Sequence, residues 1–372
     1  MRLMVSAGAT GGGINPALAV LQALGEKTDR ILWVGSEGGM EADLVGRAGV
    51  PFTAIPAAGI HGVGLRAVAA LWKLTRGFFA ARKLIRDFKP DVLFFTGGYV
   101  AIPTGLAGLN IPTVLCLPDI EPGLALKVLA RFADHITVPA EDSRAYFPQR
   151  KKVNVVGYPT RPDMTVWERE KACKAFDLSP DKPTLMVTGG SLGARSINRA
   201  IVAALPELLK EMQVVHLTGK LTWPEVEAAI DTLPKELLVN YRAYPYLYER
   251  MGAAFSAADL VVSRAGASIL GELPIFGVPA ILVPYPHAWR YQKVNADYLA
   301  KRGGAVVLKD EDLKAQIGAL ILDLMGDESK RNAMKKAMSA LANPGAAAAI
   351  AEILRGMALR RTQPTTEGGA ND

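Results

Sequence analysis

Leu3-Met4-Val5-Ser6-Ala7-Gly8-Ala9-Thr10-Gly11-Gly12-Gly13 opens the chain, and Thr184-Leu185-Met186-Val187-Thr188-Gly189-Gly190-Ser191-Leu192-Gly193-Ala194 repeats its construction much later. Each is a short apolar, β-branched run that breaks into glycines and then enters a helical stretch. Strand, glycine turn and helix in that order are the opening unit of a parallel α/β sheet, because glycine alone lets the chain reverse tightly between them. The unit occurs twice, so two such sheets are expected.

Working outward, Ile31–Val34, Val92–Phe95, Val114–Leu117 and Ile136–Val138 read as further strands after the first unit. Val214–Leu217, Leu260–Val262 and Ala280–Pro284 follow the second. Amphipathic segments separate them, which is the pattern of parallel sheets covered on both faces. The expected fold class is therefore α/β, with two Rossmann-like doubly wound domains facing across a cleft. Val156-Gly157-Tyr158-Pro159-Thr160-Arg161-Pro162 is the expected linker. It separates a first domain over residues 1–160 from a second over 161–343. A helix over about 344–359 could pack back on the first domain, and 360–372 reads as a loose tail. Ligands of such sheets gather beyond the carboxyl ends of the strands, where both glycine loops lie.

At 372 residues, the length suits two domains of this kind. Lys and Arg number 43 against 36 Asp and Glu, a net charge of +7 that favours anionic partners without choosing among them. Cys116 and Cys173 stand far apart and offer no metal spacing, which fits a reducing compartment. The N-terminus lacks the apolar core of a signal peptide. Val92 to Pro118 carries no charge, yet Gly97, Gly98, Pro103, Gly105, Gly108 and Pro112 break it as a membrane span. Neither a Walker loop nor Gly-x-Gly-x-x-Gly occurs, which counts against nucleotide hydrolysis and hydride transfer, although Glu37 after the second strand keeps a dehydrogenase open. Nothing gathers basic residues with stacking aromatics along a groove, so nucleic acid is not an expected partner.

The first glycine loop presents bare backbone N–H groups at a helix start, suited to phosphate oxygens or equally to a mere tight turn. Ser191 adds a hydroxyl to the second loop. Arg264-Ala265-Gly266-Ala267-Ser268-Ile269-Leu270-Gly271-Glu272 leaves a strand, turns at glycine and opens a helix whose first turn holds small residues and Glu272. That helix start can face phosphates while Glu272 accepts hydrogen bonds from ribose hydroxyls; the plainer alternative is a solvated helix carboxylate.

Gly97-Gly98-Tyr99, Gly189-Gly190-Ser191 with Gly193-Ala194-Arg195, Ala265-Gly266-Ala267 with Glu272, and Pro284 to Asn295 with Gln292, taken in order, resemble the MurG family. These bacterial enzymes add N-acetylglucosamine to undecaprenyl-diphosphate-linked N-acetylmuramyl pentapeptide, turning lipid I into lipid II. The resemblance covers nearly the whole chain and implies a GT-B fold, UDP-GlcNAc as donor, no metal and no cofactor. It places Thr10, Gly11 and Gly12 near the transferred sugar, Arg161 and Ser191 on the diphosphate, and Tyr248 beside uracil. Ala267, Ser268, Ile269, Leu270, Gly271 and Glu272 would hold phosphate and ribose. Tyr291, Gln292 and Asn295 would face the sugar, and Gly13, Asn15 and Tyr99 the acceptor.

The departures fall mainly on the acceptor side. Gly13 stands where the family usually has His, and Cys116-Leu117-Pro118-Asp119 replaces His-Glu-Gln-Asn. Tyr291 stands where Gln is common. Another acceptor, or a homologue that binds without catalysis, is therefore an open alternative. A base is still required for the acceptor hydroxyl, and Asp119 is the nominee, with His287 as runner-up. Asp119 could equally cap the helix after Pro122-Gly123, and His287 could simply pack in its loop. Asp310-Glu311-Asp312 matches a metal-diphosphate motif by letters but reads better as a cap for the helix from Leu313.

From Leu65 to Phe88 a helix interleaves Trp72, Phe78 and Phe79 with Arg76, Arg82 and Lys83. It either meets an anionic membrane surface from the cytoplasmic side or packs its aromatics on the sheet, leaving the cations in solvent. A lipid-linked acceptor favours the membrane.

Overall fold

The computed structural model describes residues 1–8, 11–25, 28, 30–39, 41–59, 65–287 and 290–362, with the backbone alone for 65–69 and 361–362. The chain divides into two compact units, Met1–Arg161 with Pro344–Asp372, and Pro162–Asn343.

The first unit runs β1 (Arg2–Ser6), α1 (Gly11–Leu24), β2 (Arg30–Ser36), α2 (Glu41–Arg47), β3 (Phe52–Ile55) and α3 (Leu65–Phe88). It continues through β4 (Val92–Phe95), α4 (Ala101–Ala107), β5 (Thr113–Cys116), α5 (Leu124–Leu129), β6 (His135–Val138) and β7 (Val153–Val155). The strands form one parallel sheet in the order β3-β2-β1-β4-β5-β6-β7. The uncharged stretch from Val92 is thus strand, helix and strand. No described helix is long and apolar enough to cross a membrane.

The second unit begins with α6 (Arg169–Lys174), β8 (Thr184–Thr188), α7 (Arg195–Glu211), β9 (Gln213–Leu217), α8 (Trp223–Ile230), α9 (Lys235–Leu238) and β10 (Tyr241–Tyr244). Then come α10 (Met251–Ala257), β11 (Leu260–Ser263), α11 (Ile269–Phe276), β12 (Ala280–Leu282), α12 (Tyr291–Lys301), β13 (Ala305–Val307), α13 (Leu313–Gly326) and α14 (Glu328–Ser339). Its sheet is parallel too, ordered β10-β9-β8-β11-β12-β13.

Central strands such as β4 and β8 are buried at every position, since helices cover both faces and both sets of side chains must be apolar. On one face of the first sheet Leu3, Val5, Phe94 and Val114 pack against α1 and against α15 (Ala346–Thr362). Ile350, Ala351 and Leu354 carry that contact from α15. On the other face Met4, Leu93, Phe95 and Leu115 meet Ala81, Leu84 and Ile85 of α3. In the second unit Ile197, Ile201, Leu205 and Leu208 of α7 form one helical stripe over β8, β9 and β11. Helix α15 extends through Thr362, past residue 359, because nothing in Arg360-Arg361-Thr362 breaks it. Residues 363–372 lie outside the described residues.

In each sheet the strand order reverses once, between β1 and β4 and between β8 and β11. Crossovers leave in opposite directions there, and the diverging loops open a crevice at the carboxyl ends.

Candidate functional site

In the first unit that crevice is lined by backbone. Helix α1 begins with three glycines, and the carbonyl of Gly12 accepts from the Tyr158 hydroxyl at 3.4 Å. The carbonyl of Gly13 accepts from Thr96 Oγ1 at 2.5 Å, which ties the helix start to the end of β4. Gly97 and Gly98 follow β4 with φ of 128° and 85°, values that only glycine adopts without strain. Tyr99, next in the chain, is 36% exposed. Asn15 is half-buried, and Gly13 is buried. A side-chain carbon on Gly13 would meet the carbonyls of Gly8 and Thr96 at 3.5 and 3.6 Å, ordinary contact distances, so space does not dictate glycine there. Thr10 lies outside the described residues.

Asp119 sits half-buried in the bend after β5. Helix α5 starts at Leu124 with Gly123 as its N-cap, so the alternative of Asp119 as that cap is corrected: it lies too far upstream. Two other carboxylates on this unit were not singled out from the sequence. Glu121 is 2% exposed and pairs with Lys127 Nζ at 2.9 Å. Glu41, wholly buried at the start of α2, accepts from the Ser36 amide at 2.6 Å and hydroxyl at 2.5 Å. Their burial arises only from tertiary packing.

In the second unit β8 runs into Gly189-Gly190-Ser191, where Gly190 has φ 83° and its amide donates to Thr188 Oγ1 at 3.3 Å. Ser191 is half-buried, just before the N-terminus of α7. Across the switch point, β11 leads into Arg264 and then α11, with Ser268 as N-cap. Ala267, Ile269, Leu270 and Gly271 are buried. Glu272 lies in the first turn of α11 and is 9% exposed, which sets aside the picture of a solvated carboxylate. Arg264 braces this loop from behind. Its guanidinium donates to Asp310 Oδ1 at 2.5 Å and Ser196 Oγ at 2.7 Å, and stands 5.2 Å from the Tyr285 ring centre. Asp310 also accepts from Ser196 Oγ at 2.7 Å, and the N-cap of α13 is Asp312, so Asp310 is not that helix's cap.

Helix α12 opens with Tyr291 and Gln292, both half-buried, and Gln292 Oε1 accepts from the Tyr285 amide at 2.8 Å. Asn295 is fully buried and donates to the Ala265 carbonyl at 3.2 Å, which ties α12 to the Ala265 loop. His287 is exposed, edge-on to Tyr285 at 5.4 Å. Tyr248 is 37% exposed, and its ring lies 4.6 Å from that of Tyr246 with the Lys220 ammonium 5.3 Å away. Arg161, half-buried, is the last residue of the first unit before the crossing.

Along α3, Trp72, Arg76, Phe79, Lys83 and Arg86 fall on one outward stripe, and Trp72 and Phe79 are each 64% exposed. Arg82 is exposed beside it, and Phe78 is half-buried, T-shaped against Phe79 at 5.5 Å. The inward face is Gly77, Ala81, Leu84 and Ile85. The alternative that the aromatics pack on the sheet does not hold for Trp72 and Phe79.

Residues 3–138 match the glycosyltransferase family 28 N-terminal domain and residues 184–351 its C-terminal domain. The chain is similar to the UDP-N-acetylglucosamine–N-acetylmuramyl-(pentapeptide) pyrophosphoryl-undecaprenol N-acetylglucosamine transferase of Roseiflexus sp. (strain RS-1), 40% identical over 97% of this chain and 96% of that one. The transferase of the same description from Desulforamulus reducens is 39% identical over 93% and 96%. Among solved structures, Acinetobacter baumannii MurG superposes with a TM-score of 0.72 at 26% identity, covering 95% of this chain and 99% of that one. UDP-GlcNAc 2-epimerase from Neisseria meningitidis shares the fold, with a TM-score of 0.65 at 15% identity over 96% and 100%.

Proposed function

We infer the function from one premise: this chain belongs to glycosyltransferase family 28 and, within it, to the MurG enzymes. It is a UDP-GlcNAc-dependent N-acetylglucosaminyltransferase that acts on undecaprenyl-diphosphate-linked N-acetylmuramyl pentapeptide, the step from lipid I to lipid II in peptidoglycan synthesis. The observation that carries this is identity of 40% sustained over 97% of the chain.

In the reading proposed here the second unit holds the donor. The Gly190 amide is held by Thr188 Oγ1 and the Gly193 amide by the Gly190 carbonyl, which leaves the backbone N–H groups of Ser191 and Leu192 and the helix starts of α7 and α11 to face the diphosphate, where aligned amides favour negative charge. Glu272 takes the ribose hydroxyls. As UDP departs, those dipoles and Arg161 offset the growing negative charge without a metal ion, since they are already oriented when the bond breaks. The first unit holds the acceptor. Its hydroxyl attacks the anomeric carbon with inversion while Asp119 takes the proton. Glycine at position 13, in place of the family's usual His, leaves Asp119 as the carboxylate at that sheet edge with an assigned role.

The α3 stripe supports attachment to the cytoplasmic face of the cell membrane. Trp72 and Phe79 would enter the interfacial layer while Arg76, Arg82 and Lys83 meet anionic headgroups, each cation contributing about 1 kcal/mol near the surface. Incubation with labelled UDP-GlcNAc and a lipid I analogue tests the whole reading. Disaccharide product with release of UDP is expected, and UDP-GlcNAc binding without product would overturn it.

A further inference from the structure

Behind the second glycine loop lies a fully buried polar network that the reaction as described does not use. His216, on β9, is 0% exposed, and Asn198, on α7, is 2% exposed. Asn198 Nδ2 donates to the Thr218 carbonyl at 2.8 Å and to Thr222 Oγ1 at 2.9 Å, spending both amide hydrogens. Its oxygen therefore faces the His216 ring, and His216 Nε2 must donate to it, at 3.1 Å. With the proton on Nε2, Nδ1 is an acceptor, and the Tyr241 hydroxyl donates to it at 2.8 Å. Thr222 Oγ1 closes the circuit by donating to the Thr218 carbonyl at 2.5 Å. Every member is satisfied only when the imidazole is neutral and of this one tautomer.

The network ends on the glycine loop. A side-chain carbon on Gly193 would stand 2.1 Å from the Thr218 carbonyl, and one on Gly219 would stand 2.1 Å from Gly193 N and Cα. The peptide from Thr218 to Gly219 is thus pressed against the backbone of Gly193, with no side chain between them. Gly193 and Gly219 hold φ of 86° and 84°, so each turn keeps a conformation that its own residues do not enforce. Asn198 and Thr222 fix the Thr218 carbonyl, and that carbonyl fixes the wall on which the loop leans.

We infer that His216, Asn198 and Thr222 are positioning residues for the diphosphate of the donor, acting through the Thr218–Gly219 peptide on the Gly190 to Gly193 loop. The inference rests on the donor reading of that loop. A loop that binds phosphates through backbone amides depends on where those amides point, and a shift of a few tenths of an ångström spoils several hydrogen bonds together. Burial alone drives the His216 imidazole down to about 3, so it stays neutral through the working range.

Calorimetry with UDP and with uridine tests it, because uridine carries the base and ribose but no phosphate. His216→Phe keeps the ring volume and removes both hydrogen bonds, and should weaken UDP binding roughly tenfold or more while leaving uridine binding unchanged. His216→Gln restores a donor toward Asn198 and should recover most of the loss. Thr222→Val, nearly isosteric, should weaken UDP by about threefold and secure the result should His216→Phe fold poorly. UDP and uridine weakening together, or UDP affinity untouched in Thr222→Val and His216→Phe, overturns the inference. A parent chain that binds no UDP overturns the donor reading first, which separates the two failures.

Discussion

A side-chain carbon placed on Gly98 would lie 2.9 Å from the backbone nitrogen of Gly8, so the loops leaving β1 and β4 touch through main chain alone. Gly98 also holds φ 85°. Gly98→Ala should therefore cost about 1–3 kcal/mol, from strain and from separation of the two loops. Gly13→Ala is its control. Helical backbone and ordinary contact distances there predict a gain of roughly 0.5–1 kcal/mol. Denaturant titration of the two variants checks the pair, and equal effects would contradict the backbone-contact account.

Glu272→Ala should weaken UDP-GlcNAc binding by roughly 1.5–3 kcal/mol, the loss of hydrogen bonds to a charged group. Calorimetry on folded protein reads this directly. Parental affinity would remove Glu272 from the donor site.

Asp119→Asn keeps size and hydrogen bonding and removes basicity. Single-turnover rate should fall by about 10²–10⁴ with donor affinity nearly constant, since a base acts in the transition state. Near-parental turnover would move the proton-accepting role elsewhere, with Glu41 and Glu121 as the buried carboxylates to examine next.

Arg76, Arg82 and Lys83 all replaced by Glu should release the protein from anionic vesicles and leave UDP-GlcNAc binding intact. Co-sedimentation measures the first and calorimetry the second. Equal retention of parent and variant would make α3 an ordinary solvated helix.

His216 gives stability a pH dependence whose sign follows from its burial. The folded state holds the imidazole neutral down to about pH 3, whereas the unfolded chain protonates it near the ordinary value of about 6.5. Between those limits the unfolded state binds the extra proton, so this contribution is fully present above about pH 6.5 and declines as pH falls. The slope approaches roughly 1.4 kcal/mol per pH unit. Urea midpoints from about pH 6.5 to 5 should fall more steeply for the parent than for His216→Gln, which has nothing to titrate. Parallel slopes would show that the site admits the proton.

The fold class was legible because its strongest signals are local. The central strands β1, β4, β8 and β11 are buried runs bounded by glycine, proline or charge, and they stand out residue by residue. The strands that the sequence did not disclose are β3, β7, β10 and β13, which are the outer strands of the two sheets. Val153-Asn154-Val155 and Tyr241-Arg242-Ala243-Tyr244 have a solvent side, so their apolar pattern is diluted to the point of resembling loop. Resemblance to the MurG family was legible for the same reason as the central strands: its motifs are contiguous. The network around His216 was not, because His216 and Tyr241 are 25 residues apart and His216 and Asn198 are 18 apart, each unremarkable in its own neighbourhood. Glu41 and Glu121 escaped notice likewise, since nothing in a single sequence marks a carboxylate for burial.

Helix α15 returns to the first unit after the whole second unit has been traversed, and Ile350, Ala351 and Leu354 complete a core that Leu3 and Val5 begin. On the ribosome, residues 162–343 must therefore emerge before the first sheet can be fully covered on that face, although they can close their own core first. The half of the molecule made earliest finishes last. Until α15 arrives, α1 covers only part of that face, and the part over β4 and β5 with Phe94 and Val114 is apolar surface open to water.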